Sequence, residues 1–110
     1  MDKIVSILNE TELPFAYNHY AEGESPKPPF ICYLTPKSEY FAADGVVFHR
    51  ICDYHIELYT DKKAPETEGI VESVLDKHRI FYNKSEVWID SEKLYEVMYS
   101  YEIGGTDNAE

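Results

Sequence analysis

"LYEVMYSYEI", residues 94–103, separates into two sets when alternate residues are taken. Tyr95, Val97, Tyr99, Tyr101 and Ile103 form one set; Leu94, Glu96, Met98, Ser100 and Glu102 form the other. Side chains of a strand alternate between faces, so this is a strand with one apolar, tyrosine-rich face and one mostly polar face. Just upstream, "VWI" (87–89) is a second strand, and a tight turn near Asp90-Ser91 makes the two a hairpin.

The segment before that hairpin changes period. "TDKKAPETEGIVESVLDKHRI" predicts a helix over 65–79, with Ile70, Val71, Val74, Leu75 and His78 in one stripe. Pro65 suits the first helical position, Glu66 and Glu68 the positive end, and Lys77, His78 and Arg79 the negative end. Ala64 is a weak N-cap, and Gly69 costs about 1 kcal/mol relative to alanine.

Further upstream, "ICDYHIELYT" reads as a central strand, with Tyr54, Ile56 and Leu58 on one face and His55, Glu57 and Tyr59 on the other. "FICYLT" (30–35) is an apolar strand, expected to stop at Pro36. Asp44-Gly45 is the strongest short hairpin signal in the chain. "FAYNHY" (15–20) reads as a first strand, and "AEGESPKPPF" as a loop. Residues 2–10 form a short helix with Ile4, Ile7 and Leu8 on one face and Asp2 in its first turn. "GGTDNAE" has no apolar anchor and is expected to be disordered.

Strands in runs, with helices set apart, argue an α+β fold: a single, mostly antiparallel sheet with two helices on one face. The expected organisation is one domain over 1–103 and a tail over 104–110. The expected core between sheet and second helix is Tyr54, Ile56, Leu58, Val74, Leu75, Val97 and Tyr99.

Composition narrows the function classes. Ten Lys and Arg against 21 Asp and Glu give a net charge of −11. A phosphate-neutralising surface needs clustered cations, so nucleic acid and anionic membranes are disfavoured as partners. No apolar run approaches the ~20 residues of a membrane span, and the acidic start does not suit a signal peptide. A cytoplasmic setting follows, with Cys32 and Cys52 as free thiols.

The one metal-like spacing is His49-x-x-Cys52-x-x-His55. On a strand, Cys52 points away from both histidines, so the three do not converge without a bulge. There is no nucleophile elbow and no glycine-rich phosphate loop. The expectation is therefore no catalytic residue, no metal ligand and no cofactor.

Aromatic residues make up 15% of the chain, ten of them tyrosines. A small one-sheet domain cannot bury all of these, and tyrosine left on a sheet is enriched at protein–protein contacts. A glycan platform would use the same residues, but the Asn- and Trp-rich loops that accompany one are missing. The loop over 21–30 and the hairpin around Asp44-Gly45 are the longest projections. Their aromatics, with edge tyrosines, make Tyr20, Phe30, Tyr40, Phe41, Phe48, Tyr59 and Tyr101 the interface candidates.

The segments "IELYTDKK" (56–63), "VESVLDK" (71–77), "KSEVWI" (84–89) and "SEKLYEV" (91–97) resemble a family of small proteins of long-tailed phages and prophages of Gram-positive bacteria. "PFAYNHYAEGESPKPPF" and "FAADGVVF" share the resemblance, which covers 1–103. In size and strand–helix–strand order these are similar to tail terminator and head–tail joining proteins. That resemblance implies a virion structural protein, a homo-oligomer forming a ring, commonly a hexamer. The ring would cap the tail tube and meet the head connector proteins, with assembly in the host cytoplasm and a final place at the head–tail junction. Ala64 departs from the pattern, where an aspartate cap is expected. Two rivals stand beside it: a monomeric acidic, tyrosine-rich binding module or host-takeover inhibitor, and a small metal-dependent enzyme using His49 and His55.

Overall fold

Seven elements run in the order α1 (Lys3–Asn9), β1 (Phe15–Tyr17), β2 (Phe30–Ala43), β3 (Val47–Thr60), α2 (Pro65–Lys77), β4 (Asn83–Ile89) and β5 (Leu94–Gly104). They belong to a computed structural model that describes residues 3–21, 23–43 and 47–104; for 36–43, 47–52, 103 and 104 it describes the backbone alone. The strands form one sheet in the order β1-β2-β3-β5-β4. Only β1 and β2 pair in parallel; the other three pairings are antiparallel. The fold is therefore α+β, with a mostly antiparallel sheet.

The alternation in β5 holds. Val97, Tyr99 and Tyr101 are buried, and Tyr95 packs against the same core. In register, Val97 lies opposite Leu58 and Tyr99 opposite Ile56, so one sheet face is continuously apolar across β3 and β5. Ile4, Ile7 and Leu8 of α1 and Val71 and Leu75 of α2 close over it. Both helices thus cover the same face, called inner below.

Helix α2 has no side-chain cap at Ala64, though Pro65 sits at its first turn as its fixed φ favours. Its other end is closed by backbone. Arg79 adopts φ 59°, its N–H bonds to Asp76 O at 2.9 Å, and Ile80 N–H bonds to Leu75 O at 3.0 Å. That is the Schellman pattern, with arginine in the left-handed position that glycine usually takes. The buried stripe differs from the expected one. Val71 and Leu75 are buried and Val74 packs beside them, but Ile70 is 43% exposed and Glu68 is 3% exposed. The helix is rotated toward 68, 71 and 75, because the edge strand β4 supplies Lys84 to meet a carboxylate there. His78 leaves the stripe as well, pairing with Glu10 at 3.0 Å.

Pro36 does not end β2. The strand continues to Ala43, with Leu34 opposite His55 and Lys37 opposite Asp53. Two residues, Thr35 and Pro36, thus stand against the single Tyr54: a bulge absorbs the proline's missing N–H, as edge positions allow. β1 is shorter than the expected 15–20, because Asn18 turns away at φ 68°. At the C-terminus, β5 includes Gly104, paired with Ile51. Asp2, Asp44-Gly45 and the tail from 105 onward lie outside the described residues.

Candidate interaction surface

The described surface carries the features from which a candidate site can be built. Three stand out: a projecting arm, an aromatic cleft on the outer sheet face, and an exposed phenylalanine.

The arm is the upper end of the β2–β3 hairpin. The last rung shared with β5 is Ile51↔Gly104. Beyond it, among the described residues, Tyr40↔Arg50, Phe41↔His49, Ala42↔Phe48 and Ala43↔Val47 pair only with each other. Four rungs add roughly 14 Å to the sheet, and the molecule measures 50 × 28 × 24 Å. Candidates Tyr40, Phe41 and Phe48 lie on this arm. His49, Cys52 and His55 all fall on β3, which pairs with β5 without interruption from Ile51 to Thr60. Among the described residues, no three His, Cys, Asp or Glu groups are placed to hold a metal ion.

On the outer face, register brings together Phe30 with Tyr59, Cys32 with Glu57, and Tyr59 with Glu96. Phe30 and Tyr59 stack at 5.2 Å, and Tyr20, carried over from the loop after β1, meets Phe30 edge-on at 5.6 Å. With Leu94 and Ile89 these rings line an open cleft of about 270 Å³ whose rim includes Glu92. So candidates Tyr20, Phe30 and Tyr59 converge, although Phe30 is itself mostly covered. Tyr101 does not join them. It is 5% exposed on the inner face, stacked on Tyr54 at 5.2 Å.

Acidic groups lie beside Tyr59, away from the cleft lining. Tyr59 donates to Glu57 Oε1 at 3.0 Å. Burial, then the charges of Glu57 and Glu96, push the Tyr59 hydroxyl far up, so it stays protonated and donating. Burial, then the Glu57 charge and a hydrogen bond with it, push Glu96 above the usual carboxylate range. The same causes, burial first and Glu57 second, raise the Cys32 thiol. Cys32 is free and buried, and a thiol held protonated is a poor nucleophile. Cys52 lies five residues along β3 from Glu57, the register partner of Cys32, or about 17 Å, so no disulfide joins the two cysteines.

A second open depression, about 460 Å³, lies at the other end of the outer face between Asp53, His55, Ser100, Glu102 and Phe81. Phe81 is 95% exposed. Nothing about its residue type distinguishes it from a core phenylalanine; its position, three residues after the helix C-cap His78, is what turns it outward.

The inner face ends in an ion cluster at the β4 edge. Lys63 and Lys84 each approach Glu68 within 3.0 Å, and Lys84 also meets Glu72 at 2.7 Å. Tyr99 donates to Glu72 at 2.8 Å, and Tyr95 donates to Glu86. Burial alone would raise Glu68, but the bonds from Lys63 and Lys84 outweigh it and hold the carboxyl below its ordinary value. Spacing of 3 and 4 at 68, 71 and 75 was the available signal for this burial. The cluster fastens α2 to the sheet, with Lys63 and Glu86 at its solvent edge.

No family model matches the chain, and no curated protein does. Among the described residues, no helix is long and apolar enough to cross a membrane.

Proposed function

We propose that the chain is a non-catalytic assembly subunit, a tail terminator or head–tail joining protein of a long-tailed phage or prophage. Copies of it would form a ring, commonly a hexamer, that caps the tail tube and meets the head connector. It would assemble in the host cytoplasm and remain at the head–tail junction.

The observation that supports this best is the two-stranded arm. A ribbon that has no third strand among the described residues is marginal by itself. A chain that keeps one beyond its own core is provided with a contact that other subunits complete. The net charge of −11 fits a lumen wall along which DNA slides without sticking, since acidic side chains repel phosphate.

Sedimentation of the purified protein tests this at two salt concentrations, each with and without purified tail tubes. Assembly into a ring, or stable binding to tube ends, is the expected result. A strict monomer in all four conditions sinks the proposal and leaves the monomeric acidic binding module.

A further inference from the structure

We propose that copies of this chain join head to tail, with Phe81 of one copy seated in the Tyr20–Phe30–Tyr59 cleft of the next. The inference rests on the self-assembly reading above and names the contact that makes it.

Phe81 is a held knob. Behind it, the Schellman closure fixes Arg79 and Ile80 by the hydrogen bonds to Asp76 O and Leu75 O. Ile80 and Tyr82, on either side, pack against the core, and Tyr82 meets Tyr99 edge-on at 5.2 Å. A ring carried outward on backbone held between two anchored neighbours costs little backbone freedom on binding. An aromatic ring buries about 150–250 Å² when it finds a pocket, and such anchors dominate interfaces.

The cleft suits that ring in chemistry and charge. Its walls include Tyr20, Phe30, Tyr59, Leu94 and Ile89, with Asn18, His19 and Ser25 also lining it, so a phenyl ring would meet aromatic and apolar surface beside a polar edge. Glu92 stands on the rim, with Glu57 and Glu96 beyond Tyr59. The segment carrying the knob, "KHRIFYNK", is the most basic in an acidic chain. Lys77 and Lys84 are already paired with glutamates of their own copy, but Arg79 is exposed and its guanidinium makes no ion pair among the described residues. Arg79 therefore offers one cation near the knob to the Glu92 rim of the cleft, while Asp53 and Glu102 share Phe81's own depression.

Their separation sets the symmetry. Phe81 lies by the Asn83↔Ser100 rung and the cleft by the Ile89↔Leu94 rung, six residues or about 20 Å apart on one face. Two different patches on one subunit make a heterologous contact, which closes into a ring where the rotation allows.

Sedimentation velocity across protein concentration tests this, with wild type, Phe81→Ser, Arg79→Glu, Glu92→Arg and the double swap Arg79→Glu/Glu92→Arg. All four variants alter exposed residues, and melting curves verify that they fold. Phe81→Ser should weaken self-association at least about tenfold, as loss of an anchor does. Each single charge change should weaken it, and the double swap should recover it. Association by Phe81→Ser equal to wild type overturns the contact but leaves the assembly role standing. A double swap no better than either single variant also overturns it. So does a wild type that stays monomeric to about 1 mM, where even weak contacts populate; if that monomer still binds tail tubes, only the contact falls.

Discussion

Glu96 and Glu68 are both half-hidden or hidden carboxylates, yet they act on stability in opposite directions. Glu96 sits beside Glu57 with no cation among its partners, and its pKa is raised by burial first and Glu57 second. The native state then holds the proton more tightly than the unfolded chain, so stability falls as pH rises through that range. Glu68 is lowered by its two lysines, so its contribution is full at neutral pH and fades as pH falls. Glu96→Gln should accordingly raise the melting temperature at pH 7. The gain should vanish near about pH 4, where the unfolded carboxyl is itself largely protonated. An equal gain at both values would show that Glu96 carries no charge penalty. Neither carboxylate was legible as such. Glu68 reads as a helix-dipole residue and Glu96 as a solvated strand position, because partners such as Lys84 and Glu57 come from other elements. Burial of charge depends on who lies opposite, and sequence spacing along one element does not contain that.

At the scale of elements, the alternation in β3 and β5 was readable because period 2 survives any twist of the sheet. Ile56, Leu58, Val97 and Tyr99 fall where it puts them. The helix was readable in kind but not in rotation, and Ile70 shows the difference. Leu75 is 0% exposed and Ile70 43% exposed, although both sit within the apparent apolar stripe. Leu75→Ala should cost about 2–5 kcal/mol in urea unfolding, as buried leucines do. Ile70→Ala should cost about 0.5 kcal/mol or less, as exposed positions do. Equal costs would mean that α2 does not pack on the sheet as placed. Pro36 misled for a related reason. Proline stops a strand only where its N–H would be needed, and one bulge in the β2–β3 ladder removes that need.

For the whole molecule, the arm and the domain are separable in energy. Among the residues whose side chains are described, the core cluster draws on α1, α2, β2, β3 and β5, on the domain side of the Ile51↔Gly104 rung. Replacing residues 40–50 with a two-residue Asn-Gly turn would join the strands at the Glu39↔Ile51 rung, a geometry a type I′ turn closes well. The shortened protein should unfold within about 1 kcal/mol of wild type, since surface changes away from the core rarely cost more. Its binding to tail tubes should nevertheless be lost, while self-association through Phe81 should persist, because knob and cleft lie on the domain. These two measurements pull apart what the two surfaces do. If shortening the arm abolishes self-association and spares tube binding, their assignments are reversed. If it unfolds the domain, the arm belongs to the fold and not to assembly.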